Sequence, residues 1–396
     1  MADKTQFRTI ENSEEELSTK IRRHRLKIVK TILLVAGVIL LAAVGVFMFL
    51  RLRTYQSYTV SKSVIREDST STHFLPYGTG FIRYSNDGAM YTDAMGEMFW
   101  TQTYEMQEPI VEQNGDYVAF ADQGGTSVYI LNKSGLQGVV ETPMAIEKIS
   151  VAGQGTIAVL MEKDGANHIR LYDKNGKNLA AGALHVENSG YPMDLALCED
   201  GKKLAVSMLD VTEGQVSAVL YFYNFGSVGQ NEIDNLVGTY SYEGLIIPQI
   251  EFVTNDRLLA FGDSKILFFE GSQRPEPEYE IIFTGQMRSV FFNDSYVGVI
   301  TNNDEKAEES RHMEIYDSNG KRILRKDFSM DYESVEFLEN DEICIRNGTE
   351  ILLYNTYGVR KFAYTFETAL YGVLSGHTQT EYIFILDGRT DRVRLK

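Results

Sequence analysis

The sequence predicts an all-β chain, a β-propeller of four-stranded antiparallel blades preceded by one transmembrane helix. Three observations predict it: an apolar run near the N-terminus, a turn signal that recurs along the rest of the chain, and two strand-like ends that complete one another. Composition agrees. Of 396 residues 43% are hydrophobic, enough for a globular core, and 23 Tyr and 21 Phe stand against 7 Pro. Aromatic residues favour pleated, half-buried strands, whereas proline cannot donate to a strand ladder.

The helix comes first. Residues 31–50 read TILLVAGVILLAAVGVFMFL, twenty residues without a charge, Asn, Gln or Pro. At about 1.5 Å per residue this run spans a hydrocarbon core of roughly 30 Å. It lacks the polar stripe of a buried soluble helix. Arg51, Leu52, Arg53 and Thr54 follow it, a poor signal-peptidase site, so the expectation is an uncleaved signal anchor. Lys20, Arg22, Arg23, Arg25, Lys27 and Lys30 precede the run, and only Arg51 and Arg53 follow closely. That bias places residues 1–30, a basic tail, in the cytosol and residues 54–396 outside the cell membrane.

Charge splits the same way. Residues 1–30 hold eight Lys/Arg against five Asp/Glu, and the region beyond residue 50 holds 30 against 50, a net charge of −20. Such a surface repels phosphate backbones, so nucleic acid is excluded as a partner. Cys198 and Cys344 lie in separate apolar runs and read as buried free thiols.

Beyond Arg53 short apolar or alternating runs are broken by Gly, Asn and Asp every eight to twelve residues or so. One turn recurs, an Asp or Asn followed three residues on by Gly. It stands at Asp93–Gly96, Asn132–Gly135, Asp173–Gly176, Asp317–Gly320 and Asn355–Gly358, with degenerate forms at Asn224–Gly226 and Glu270–Gly271. The Asx side chain bonds the backbone ahead, and glycine supplies the positive φ that closes a hairpin. DKNG and DSNG lack the further carboxylates and distal Glu of a calcium loop, so no metal site is read there.

Four strands fit around each turn, and equivalent first strands begin near His73, Pro109, Glu147, Pro192, Pro248, Arg288, Glu333 and Leu370. The count is eight blades, with seven as the alternative because the fourth unit is long and irregular. The last unit has three strands, and the run at 57–65 precedes the first complete one. Pairing that run with the C-terminal blade would close the ring and remove the open edge.

The longest insertions, Glu162–His168, Leu209–Ser217 and Asn302–His312, read as loops on one face, the face that also joins successive blades. Tyr191, Tyr242, Tyr332 and Tyr371 are placed in the inter-blade loops there, and Asp304, Glu305, Glu308 and Glu309 make its most acidic loop. Long loops on a rigid scaffold and tyrosines on a contact surface suit ligand binding, and these eight residues are the expected ligand-binding set. The competing reading makes the loops solvated decoration and the tyrosines blade packing.

No catalytic residue is expected. The six histidines are scattered singly, with no i, i+2 or i, i+4 pair. No G-x-S-x-G, H-E-x-x-H, C-x-x-C or phosphate-cradling glycine loop is present. The blade rhythm resembles the broad superfamily of WD-repeat and quinoprotein-like propellers. Trp100, the only tryptophan, leaves no Trp-Asp signature and no tryptophan-rich repeat, so no quinone or other cofactor is expected. The layout of basic tail, single anchor and outer propeller resembles an uncharacterised bacterial membrane family, the domain of unknown function 5711. The resemblance implies envelope association and transfers no site residues. The expected function is a membrane-anchored, non-enzymatic scaffold that recognises an envelope protein or cell-wall glycan. The alternatives are a glycoside hydrolase or lyase with carboxylates in its central funnel, and a ligand sensor signalling through the anchor.

Overall fold

The computed structural model describes residues 13–69, 71–184, 190–212, 214–283, 285–303 and 310–396. It begins with the helix Ser13–Leu52, of which Ser18–Phe49 is long and apolar enough to cross a membrane. The one hydroxyl inside the apolar run, that of Thr31, turns back to donate to the Lys27 carbonyl at 2.9 Å, which hides its polarity within the helix.

Tyr55–Lys396 form the second compact unit. Its strands make eight four-stranded antiparallel sheets, the blades of a propeller. Blades 1 to 7 occupy residues 73–103, 109–141, 145–184, 191–243, 249–282, 287–328 and 334–365. In each, the strands pair in chain order, and first strands of neighbouring blades touch at five junctions of the ring, which places them innermost. Blade 8 combines three strands of residues 370–395 with Tyr58–Ile65, paired from Tyr58↔Leu395 to Ile65↔Arg389. The seven-blade alternative falls. The long fourth unit is one blade whose two middle strands, Lys203–Thr212 and Gln215–Asn224, have ten residues each.

The recurring turn works as its chemistry demands. Asp173 Oδ1 accepts the backbone N–H of Asn175 and of Lys177, both at 2.9 Å. Asp317 does the same for Asn319 and Lys321, at 2.9 and 3.0 Å. The closing glycine has a second duty, because each turn packs on the blade before it. A Cβ on Gly320, whose φ is +70°, would stand 2.2 Å from the ring of Tyr279 in blade 5, and the Tyr279 hydroxyl donates to the Ser318 carbonyl at 2.8 Å.

Between blades the alternating strand faces meet as clusters of buried apolar side chains. One such cluster joins blades 1 and 2 around Tyr91 and Phe120, another blades 4 and 5 around Phe222 and Phe269, and another blades 7 and 8 around Phe362 and Phe384. Every consecutive pair from 1–2 to 7–8 has its own. Among the described residues no such cluster joins blade 8 to blade 1. Both thiols are free and buried in these seams, Cys198 toward blade 5 and Cys344 toward blade 8.

Candidate functional site

With seams filled by apolar groups, the polar chemistry gathers along the axis. The inner strands Pro109–Asn114, Ala145–Val151, Tyr191–Leu197 and Gln249–Phe252 carry Glu112, Lys148, Asp194 and Glu251. Lys148 Nζ reaches Asp194 Oδ1 at 3.1 Å, and the Ile250 N–H donates to Asp194 Oδ2 at 2.8 Å. Asp194 is therefore held by donors from the blades on either side. The ladder slips by one residue just before Lys148 and again just before Asp194. Such a bulge re-aims a side chain. A third slip, in blade 6, precedes Ser289, whose hydroxyl lies 2.8 Å from that of Tyr332.

Glu251 has no cation beside it. Burial, then the negative charges of Glu112 and Asp194, push its carboxyl up to about 8. Burial and Asp194 likewise push Glu112 up to about 7, against the pull of Lys148. Glu112 keeps an exposed surface, while protein atoms crowd its carboxyl closely enough for desolvation to lead its shift. Burial raises Asp194 as well, with Lys148 and the Ile250 amide opposing. Blades 2 and 5 stand three places apart in the ring, so their carboxylates feel one another across the axis. Farther round, burial raises Glu336 of blade 7, with Arg346 Nε 3.7 Å away opposing. Among the described residues no three His, Cys, Asp or Glu groups converge to hold a metal ion. Carboxylates that outnumber their cations in a narrow channel can bind a cationic group, and those poised near neutrality can exchange protons.

At the channel mouth between blades 3 and 4 lies a cavity of about 360 Å³ lined by Gln123, Glu147, Lys148, Glu162, Tyr191 and Pro192 among others. Tyr191 opens blade 4's inner strand and is 62% exposed. Of the four expected tyrosines it is the one that offers a free face at this mouth. Tyr332 does lie in an inter-blade connection, half-buried against Phe328 with its hydroxyl on Ser289. Three placements are corrected, that of Tyr191 among them because it is already part of the strand Tyr191–Leu197. Tyr242 belongs to blade 4's outer strand, Leu236–Glu243, where period-two alternation turns it onto Phe269. Tyr371 lies within the inner strand Leu370–Ser375, stacked on Phe74 at 5.3 Å. Both pack one face on a neighbouring blade, and Tyr371 remains 36% exposed. Two of the presumed loops are also corrected, because Glu162–His168 and Leu209–Ser217 are strand ladders closed by tight turns at Gly165 and Gly214. Asp304, Glu305, Glu308 and Glu309 lie outside the described residues.

Glu112, Asp194, Glu251 and Glu336 were not singled out from sequence. The available signal was one acidic residue on the first strand of each of four repeat units, in PIVEQN, YPMDLAL, QIEF and SVEF.

Comparison with known proteins adds a family and a fold. A model described as a family of unknown function (DUF5711) matches residues 51–395. No curated protein matches the chain by sequence. Among solved structures, BamB from Moraxella catarrhalis is 13% identical, with a TM-score of 0.48 over 86% of this chain and 100% of that one. The Pan2 WD40 domain of Neurospora crassa is 6% identical, with a TM-score of 0.44 over 73% of this chain and 88% of that one. At these values no function passes from those proteins to this chain.

Proposed function

This chain belongs to the DUF5711 family, and from that premise we propose that it is a membrane-anchored extracytoplasmic binding module. The apolar helix serves as an uncleaved signal anchor with its basic flank in the cytosol, and the propeller stands outside as a rigid receptor. Its ligand enters at the mouth between blades 3 and 4. One observation carries the reading: Glu112, Asp194 and Glu251 crowd together from three blades, with Lys148 acting on the first two and no cation beside Glu251. Folding tolerates such crowding at a cost, and a cationic group on a protein or cell-wall partner would relieve it. Tyr191 and the mouth cavity would hold the flanking parts of that partner.

The same carboxylates support a second reading. A carboxyl raised to about 7, such as Glu112, beside an ionised one is the acid–base pairing of polysaccharide-cleaving enzymes.

The test uses full-length protein in lipid nanodiscs, titrated with basic peptides and with cell-wall glycans, beside Tyr191→Ala and a Glu112→Gln/Glu251→Gln double variant. The module reading expects saturable binding that each change weakens at least tenfold, without release of reducing ends. Binding that ignores both changes contradicts it. Turnover abolished by Glu112→Gln with binding retained establishes the enzyme reading instead. Protease protection of residues 1–30 in sealed cells tests the orientation.

A further inference from the structure

The seam between blades 8 and 1 differs from the other seven in chemistry, and it holds a cavity. Where the others hold apolar clusters, this one sets Arg66, Asp68, Arg83, Thr92 and Thr390 beside the Phe74–Tyr371 stack and the buried Phe81. Arg66 Nη2 meets Asp68 Oδ2 at 2.8 Å with both side chains buried, and Arg83 reaches the other carboxylate oxygen at 3.4 Å. Arg66 also donates to the Thr390 hydroxyl and to the Leu386 carbonyl, the latter at 2.7 Å, and its guanidinium covers the rings of Phe74 and Phe81 at 4.9 and 5.5 Å. Arg66 is thereby saturated. Arg83 is not.

Phe81 pairs with Thr92 and Arg83 with Met90 on adjacent strands of blade 1, so all four side chains lie on one face, the face turned to blade 8. Together with Val64, Ile65, Met98 and others they line a cavity of about 420 Å³. Two polar atoms in that lining have no hydrogen-bond partner: the hydroxyl of Thr92, a residue only 5% exposed, and Arg83 Nε. Buried donors left unsatisfied are rare in native folds and ask for an explanation. Ile65 and Met98, 85% and 59% exposed, flank the opening with apolar surface. The cavity therefore has an apolar entrance and, buried in its wall, two donors that lack an acceptor.

Charge narrows the occupant further. Two guanidiniums share the one buried carboxylate of Asp68. The other carboxylates nearby are Glu67, whose side chain is exposed, Asp387 beside the Tyr371 hydroxyl, and Asp391, which is engaged by Arg389 and Ser63; none of them meets Arg83 Nε. We propose that this seam is a binding site for a small aliphatic carboxylate, its carboxylate on Arg83 Nε and the Thr92 hydroxyl and its hydrocarbon stem between Ile65, Met90 and Met98. The site is separate from the channel mouth and stands whether or not that reading does.

The experiment titrates hexanoate, which is too short to partition strongly into lipid, against the full-length protein in nanodiscs, with empty nanodiscs subtracted. Hexanol and hexylamine serve as controls. Saturation-transfer NMR should show hexanoate binding saturably, with neither control competing. Thr92→Val keeps the shape of the side chain and should weaken binding about fivefold; Arg83→Gln and Met98→Trp, which fills the entrance, should each abolish it. Binding of all three hexyl compounds alike, binding unchanged in Thr92→Val and Met98→Trp, or no binding to wild type would each overturn the proposal. Should Arg83→Gln fail to fold, the other two variants decide. If Thr92→Val raises the melting temperature while wild type binds no hexanoate, the cavity is a packing fault only and the proposal fails.

Discussion

Seven seams of this propeller and the eighth solve the same problem with different chemistry. From blade 1 to blade 8 each junction buries an apolar cluster, as between Phe222 and Phe269, whose ring centroids are 5.1 Å apart. The junction that closes the ring relies on the shared Asp68 and on the strand Tyr58–Ile65, which crosses from the start of the domain to pair with its end. Apolar seams are built from one repeating face and are non-directional. The closing seam joins residues distant in sequence, and directional hydrogen bonds fix which edge meets which. Burial alone would raise Asp68, but hydrogen bonds and charges from Arg66 and Arg83 outweigh it and hold the carboxyl below its usual range.

The comparison can be broken most forcefully in an apolar seam. Phe269→Ala empties a fully buried position between blades 4 and 5 and should cost about 3–5 kcal/mol, measured by denaturant unfolding in detergent. Gly320→Ala combines a strained φ with a collision against Tyr279 and should cost about 3 kcal/mol. Gly124→Ala has φ +76° and open space, so only the backbone strain of about 1 kcal/mol should appear. Arg66→Met should cost about 2 kcal/mol, less than loss of an isolated buried partner because Arg83 remains, and 1 M salt should change that little. Lys133→Ala, by contrast, removes an exposed pair with Asp116 and should be nearly silent.

A pH dependence on the axis separates charge from packing. Folding favours the protonated form of Glu251, so wild type loses stability as pH rises from about 4.5 through about 8. Glu251→Gln should escape that loss. Its melting temperature should exceed wild type by about 2 °C at pH 9, the difference vanishing below pH 4. An equal difference at both pH values would mean that packing, and not charge, separates the two proteins.

Much of this architecture was legible because the Asx–Gly turn has a local cause. First strands expected near His73, Pro109 and Leu370 begin at those residues, and the other five begin within two positions. The fourth unit misled because Asp210, Thr212 and Gly214 are loop-forming types, while the ladder Asp210↔Ser217 to Thr212↔Gln215 simply continues there. Tertiary pairing overrode propensity. The axial site was far less legible. Glu112 and Glu251 are distant in sequence and meet only across the ring, and a lone glutamate in an acidic chain carries no mark of that. Tyr242 and Tyr371 belong to strands and not to loops, a placement hidden in sequence because tyrosine suits blade packing as well as a contact surface.

The most direct measurement is hydrogen exchange on the full-length protein in nanodiscs, comparing the outer strand of blade 8 with the outer strands of other blades. If the closing seam is the polar one, amides of Tyr58–Ile65 should exchange about tenfold or more faster than those of Gly135–Glu141 and Glu276–Ile282, through an opening that spares the seven apolar seams. Equal protection of all three strands would contradict the account, because the ring would then be held as firmly at its closure as anywhere else.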